Sequence, residues 1–297
     1  MRIGVAIDLH ATAATSAEVA WPAIRDQVLE AERLGFELVV LPDHLSYRAG
    51  GDGDYALDDD PVGVRESTTV AAAIAAVTSR IRIGHSVINA PYRTPAMLAH
   101  VAASLASISA GRYSLGIGVG NSFDYDQIGV ESKLRVARFA ECVEIVSKLM
   151  RDGHANVVGT HWSAADADLV LRPGDEQRPP IVVAAGGPRT MRVAVEFGDA
   201  WNGFCPTDPT DTTLAGLIAL LERTCDEMGR DPASIDRTAD VVVDPLDLAG
   251  ARNQSIAVLD TLADLGISEV RCYPFAGPSH ASRLEAIAAL AELTSAS

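Results

Sequence analysis

A chain of 297 residues, 48% of them hydrophobic, holds enough apolar material for one large core, and its length fits one α/β barrel or two smaller domains. A formal net charge of −16 argues against a nucleic-acid partner, because phosphate backbones need a basic surface. Four scattered cysteines without a C-x-x-C pair suit neither a zinc site nor a disulfide framework and read as small buried residues. The longest apolar run, Val70 to Val77, is far short of the ~20 residues that cross a bilayer. Met1-Arg2-Ile3-Gly4-Val5 enters a strand pattern at once, without a secretion signal. A soluble, cytoplasmic protein is expected.

The apolar pattern switches repeatedly between short β-branched runs and helical periods. Arg2–Asp8 reads as a strand, followed by a helix from about Pro22 with Ile24, Val28, Ala31 and Leu34 on one face and Gly35 as its stop. Leu38–Leu41 is the second strand, Arg65–Thr78 a helix and Ile81–Ile88 the third strand. Pro95–Ser109 is a helix and Tyr113–Gly120 the fourth strand. Ser132–Met150 carries Val136, Phe139, Val143, Val146 and Met150 at spacings of three and four, a clear helix. Asn156–Leu169 breaks the alternation and reads as short strands on a turn, a small insertion after helix four. Then follow strand Ile181–Ala185, helix Thr190–Phe197, strand Ala200–Phe204 and helix Thr212–Met228. Strand Ala239–Val243, helix Gly250–Leu265, strand Val270–Phe275 and helix Ser282–Leu293 complete the chain.

Eight strands, each followed by a helix and divided by no linker, predict a single (β/α)8 TIM barrel domain over residues 1–297. Two doubly wound halves would need a G-x-G-x-x-G turn after the first strand, and Asp8-Leu9-His10-Ala11 is not one. The long loop Ser46–Gly63, with five Asp and four Gly, would lie over the C-terminal mouth as a lid, a binding loop or a disordered segment.

Function in such a barrel sits where strands end. Those positions hold Asp8 and His10, then Asp43 and His44, then His85, Ser86 and Asn89, then Gly118, Gly120 and Asn121. Histidines thus stand at the ends of three successive strands. They could bind a metal, as in barrel hydrolases, but there is no H-x-H and no carboxylate set to complete the ligands. They could also do acid–base work beside a redox cofactor, or merely satisfy loop carbonyls. His44, beside Asp43, points to function; His85, inside an apolar run, points to structure. The run Ile181-Val-Val-Ala-Ala-Gly-Gly-Pro-Arg-Thr190 is an anion-site candidate. Gly186 and Gly187 permit close approach, Pro188 opens a helix whose N–H groups attract phosphate, and Arg189 or Thr190 can add a contact. A plain tight turn is the other reading.

Several segments together resemble the luciferase-like monooxygenases, a family of flavin- or F420-dependent oxidoreductases. They are Ala31-Glu-Arg-Leu-Gly-Phe-Glu-Leu-Val-Val-Leu-Pro-Asp-His-Leu45, Thr78-Ser-Arg-Ile-Arg-Ile-Gly84, Pro91-Tyr-Arg-Thr-Pro95, Ser109-Ala-Gly-Arg-Tyr-Ser-Leu-Gly-Ile-Gly-Val-Gly120, and Pro180–Gly187 through Gly198-Asp-Ala-Trp201. The resemblance implies FMN or F420 at the barrel mouth, bound by His85, Ser86, Val87, Gly118, Gly120 and Asn121. It places the phosphate near Gly186, Gly187 and Thr190, and a non-proline cis peptide around Ser86-Val87. Pro42-Asp-His-Leu45 looks like the F420-dependent members, and Val119 stands where FMN luciferases carry a phosphate-binding arginine. The acidic residue that sugar-phosphate and methylene-transfer members often carry directly after the glycine turn is not matched, since Asn121-Ser-Phe-Asp124 follows instead.

The reading favoured is F420-dependent hydride transfer to or from a small organic substrate. His44, with Asp43 and His10, would do the proton work, and Tyr47, Phe123 and Trp201 would contact substrate, with Trp162 a further candidate. FMN-dependent oxygenation with reduced flavin and O2 is the alternative; a metal-dependent hydrolase and a non-catalytic flavin-binding barrel are others. A homodimer is expected, with neither nucleic acid nor membrane as partner.

Overall fold

The computed structural model describes residues 1–47, 61–208, 210–274, 276–277 and 279–295. Eight parallel strands form the barrel: β1 (Arg2–Ala6), β2 (Leu38–Leu41), β3 (Arg82–His85), β4 (Tyr113–Gly118), β5 (Ile181–Ala184), β6 (Ala200–Cys205), β7 (Asp236–Val243) and β8 (Glu269–Pro274). Each pairs with its sequence neighbours, β8 returns to β1, and the ring is complete with Ile181 opposite Leu115. Outside it lie α1 (Trp21–Leu34), α2 (Ser67–Val77), α3 (Pro95–Ile108), α4 (Arg135–Asp152), α5 (Pro188–Phe197), α6 (Thr213–Met228), α7 (Arg252–Asp264) and α8 (His280–Ser295). The (β/α)8 expectation is met.

Parallel strands covered on one side by helices and on the other by the barrel interior have no wet face. Leu38, Val39, Val40 and Leu41 are accordingly all buried, which is why β2 reads as an unbroken apolar run rather than an alternation. In α4, Phe139, Val143, Val146 and Met150 form the buried stripe. Gly35 ends α1 in the left-handed conformation at φ 89°, its N–H returning to the Ala31 and Glu32 carbonyls. The insertion after α4 is an antiparallel hairpin of His154–Val158 and Ser163–Asp168. Glu141 of α4 anchors it by accepting the backbone N–H groups of Thr160, His161 and Trp162. Cys142, Cys205, Cys225 and Cys272 are buried free thiols. Among the described residues no helix is long and apolar enough to cross a membrane.

Strand three departs from the expected continuous Ile81–Ile88. Its pairing stops at His85, the Ser86–Val87 peptide is cis, and the chain resumes as the short strand Ile88–Asn89 beside Ile117 and Gly118. The neighbouring strand explains how this bulge is accommodated. A Cβ added at Gly116 would stand 1.8 Å from the His85 carbonyl oxygen, and one at Gly118 would stand 2.4 Å from Val87 Cγ2. The alternating glycines of β4 vacate the space that the bulge fills.

Two further features went unread, and one strand starts early. Asn121 is followed by a short helix, Ser122–Gln127, whose Asp124 carboxylate accepts the Asn121 N–H at 2.9 Å. A small antiparallel sheet joins His10–Ala11, Val62–Val64 and Ser46–Tyr47 over the mouth. Strands of two or three residues carry no period to recognise. The rest of the Ser46–Gly63 loop, 48–60, lies outside the described residues. β7 begins earlier than expected, at polar Asp236-Arg237-Thr238, because its ladder with β6 rather than its hydrophobicity defines it.

Gly116→Ala is expected to lower stability by about 1–3 kcal/mol or more, since the obstructing atom is backbone. Gly216→Ala on α6, where an added Cβ meets nothing within 4 Å, is the neutral or stabilising control. Urea unfolding midpoints compare the two, and equal midpoints would contradict the packing account.

Candidate active site

The strand ends surround a cavity of about 630 Å³ at the C-terminal mouth of the barrel. That volume lies within the ~300–1,000 Å³ usual for small-molecule sites. Val87, Val119, Ala184, Ala185, Phe204 and Leu217 give it apolar walls. Ser86, Asn89, Asn121 and Asn202 supply neutral polar groups, and His44 and Asp240 are its ionisable ones. Among the described residues bordering it there is neither Lys nor Arg.

His44 follows β2 and borders the cavity. Its Nδ1 lies 3.1 Å from Asp124 Oδ1 on the short helix after β4. Asp124 is fully buried and also accepts the Tyr92 hydroxyl at 2.5 Å. Burial alone would raise this carboxyl; hydrogen bonds from His44, Tyr92 and Asn89 outweigh it and hold the group below its ordinary value. An ionised Asp124 fixes the Nδ1–H tautomer of His44, which makes Nε2 the proton-exchanging atom. Tyr47 and Phe123 enclose the imidazole, with ring centroids 5.0 and 6.1 Å away.

Asp43, adjacent in sequence, faces elsewhere and does not border the cavity. Its buried carboxylate accepts from Ser67 Oγ at 2.7 Å, from the Asn89 N–H at 2.9 Å, and from both terminal nitrogens of Arg93 at 2.7 and 3.1 Å. Proton work by Asp43 has no free lone pair in this arrangement; the role it fills is anchoring. His10 lies on the small sheet above, with Nδ1 2.6 Å from Asp8 and its ring 5.4 Å from that of Tyr47. His85 is buried beneath the bulge, its Nδ1 2.9 Å from the Tyr113 hydroxyl, and burial pushes its pKa down to about 4, leaving it neutral.

Ser86, Val87, Gly118, Gly120, Asn121 and Gly186 border the cavity. Gly187, Arg189 and Thr190 do not: the Thr190 hydroxyl donates to the Gly187 carbonyl at 3.0 Å, closing the turn, and Arg189 is exposed on the first turn of α5. A Cβ at Gly186 or Gly187 would meet nothing within 4 Å, so the backbone there is open to an approaching anion. Trp201 is fully buried, and its indole N–H donates to the Ala185 carbonyl at 2.8 Å, so it packs under the cavity wall rather than on it. Trp162 packs in the hairpin against the core.

Sequence reasoning missed Asp124, Tyr92 and Asp240. The Asn121-x-x-Asp124 capping spacing was the available signal for the first; the others sit inside elements whose inward faces the sequence does not distinguish. Among the described residues no group of three or more His, Cys, Asp or Glu is gathered as a metal site.

Residues 1–255 match the model of the luciferase-like monooxygenases. The chain belongs to that family. It is 31% identical over 225 residues to an F420-dependent glucose-6-phosphate dehydrogenase of Segniliparus rotundus, covering 73% of this chain and 62% of that one. Over 163 residues it is 34% identical to a phthiodiolone/phenolphthiodiolone dimycocerosates ketoreductase of Mycobacterium tuberculosis, covering 54% and 42%. The chain thus spans less than two thirds of the length of these curated relatives. Among solved structures, an F420-dependent secondary alcohol dehydrogenase in complex with an F420-acetone adduct superposes with a TM-score of 0.78 at 18% identity, covering 98% and 97%. A monooxygenase from Streptomyces bottropensis gives 0.76 at 19%, covering 98% of each chain. At those identities the likeness is one of fold.

Asp43→Ala leaves the Arg93 guanidinium half-paired in a buried setting. Breaking such a pair costs about 3–5 kcal/mol. Because Arg93 keeps Glu66, the lower end is expected. Equilibrium urea unfolding measures it, and a loss under about 1 kcal/mol would refute the anchoring role.

Proposed function

We propose that the protein is an F420-dependent oxidoreductase that transfers hydride between the deazaflavin and a small organic substrate. The observation that carries this reading is His44, held by a buried carboxylate at the wall of a largely apolar cavity. The cavity's size and apolar walls suit a planar ring, and Gly118, Gly120 and Gly186 present backbone without side chains to it. Val87, Gly118, Gly120 and Asn121 would hold the ring, with Gly186 and the Gly187–Thr190 turn taking the phosphate. A bound deazaflavin supplies the carbon centre that gives or takes hydride.

The chain's own groups do the rest. His44 Nε2 gives a proton to, or takes one from, the substrate oxygen, and Asp124 stabilises the imidazolium when it forms. The apolar walls exclude water and so strengthen the polar contacts inside. Support for F420 over FMN comes from the likeness of Pro42-Asp-His-Leu45 to the F420-dependent members, from Val119 at the position where FMN luciferases carry an arginine, and from the F420-dependent name of the glucose-6-phosphate dehydrogenase relative.

Titration of the purified protein with F420 and, separately, FMN, followed by absorbance and fluorescence, tests the cofactor. F420 is expected to bind in the micromolar range; FMN binding with none of F420 overturns the assignment in favour of the flavin. His44→Asn should leave F420 affinity intact and lower turnover by about 10²–10⁴-fold for whichever of a panel of alcohols and ketones the wild type converts. Unchanged turnover would remove His44 from the chemistry.

A further inference from the structure

Besides His44, one ionisable side chain among the described residues borders the cavity: Asp240, from the middle of β7. Its carboxylate accepts the Ser86 hydroxyl at 2.7 Å and the Asn202 side-chain amide at 3.0 Å. Asn202 is oriented in turn by Thr238, whose hydroxyl donates to its amide oxygen at 2.7 Å. On β8, Arg271 donates to Ser86 Oγ at 3.3 Å, but its guanidinium is paired with Glu269, also at 3.3 Å. Glu269 further takes Arg82 of β3 and Arg2 of β1; the Cys272 thiol and the Tyr273 hydroxyl, which donates to the Ser86 carbonyl at 2.9 Å, are further titratable neighbours. The nearest cations are therefore engaged by Glu269, and among the described residues Asp240 has no ion pair of its own. Burial pushes its carboxyl above the ordinary value, against the opposing pull of Arg271, Ser86 and Asn202.

A carboxyl held in apolar surroundings without its own counter-ion costs stability, and such groups concentrate at ligand sites. A carboxylate has about four acceptor positions. The two donors named leave part of that capacity unused, and the residue borders the cavity. An anion would be repelled there. What fits is a neutral N–H donor at the polar edge of a molecule whose faces meet the apolar walls.

We propose that Asp240 is a ligand-recognition residue, accepting a hydrogen bond from the imide N–H of a planar heterocycle held in the cavity. That pyrimidinedione edge is common to deazaflavins and flavins. The inference rests on the cofactor reading above.

The test is a fluorescence titration of wild type and Asp240→Asn with 8-hydroxy-5-deazariboflavin and its imide-N-methyl derivative. Wild type should bind the methylated ring about 10–100-fold more weakly, as for a lost hydrogen bond to a charged group. Asp240→Asn should bind the parent ring more weakly by a similar factor and gain no further penalty from methylation, the two changes being non-additive. Wild-type affinity should fall as pH is lowered through the Asp240 pKa, because protonation removes the acceptor; the variant should lack that component. The ligand-free variant should melt no lower than wild type, having lost a buried charge, whereas a purely structural Asp would leave it less stable. Equal wild-type affinity for the two rings overturns the proposal, whatever the variant does. Failure of wild type to bind the parent ring, F420 and FMN alike overturns the cofactor reading with it.

Discussion

The Asp43 carboxylate ties two successive βα junctions together, the one after β2 and the one after β3. It follows β2, yet it receives the hydroxyl of Ser67 at the start of α2, the backbone N–H of Asn89 after the bulge, and the fork of Arg93 beyond it. Donors from three stretches of chain converge on one buried group, so none of those stretches can shift without leaving a polar atom unpaired in a low-dielectric setting. His44 borders the cavity because the preceding residue is held. The bulge at Ser86 and Val87 lies against the same anchor through Asn89.

Packing imposes a second constraint. In β4, Gly116 and Gly118 alternate on the face that meets the bulge, and side chains there would occupy the positions of the His85 carbonyl and Val87. The strand keeps its ladder to β5 while surrendering its inward side chains, and this makes room for both the bulge and the cavity above it. Trp201 fills the adjacent volume from β6 and holds the Ala185 carbonyl, which stiffens the wall leading to Gly186.

The two ionisable groups at the cavity have contrasting surroundings. His44 is backed by Asp124, whose carboxyl is held low by three hydrogen-bond donors despite full burial. Asp240 has fewer compensating groups, because Arg271 is committed to Glu269, and its carboxyl is driven upward. The same residue type is thus shifted in opposite directions a few strands apart. Hydrogen-bond supply decides between them.

Much of this was legible from residue order alone. Eight alternations of β-branched runs with helical periods specify a barrel, because covered parallel strands and amphipathic helices impose those periods directly on the sequence. The glycines of β4, His44 at a strand end and the open turn at Gly186 were visible for the same local reason. The partners were not. Asp43 and His44 are adjacent in sequence and equally polar, yet one is an anchor and the other faces the cavity. The difference lies in Arg93 and Asp124, 50 and 80 residues away. Trp201 reads as a substrate contact at a strand end but is wholly internal. Asp240 reads as an ordinary polar residue at the start of a strand. Periodicity reports which face of its own element a residue occupies; what that face meets is set by closure of the barrel. Local pattern therefore determined the architecture and the level at which the site lies, and only tertiary structure assigned each side chain its charge partner and its role.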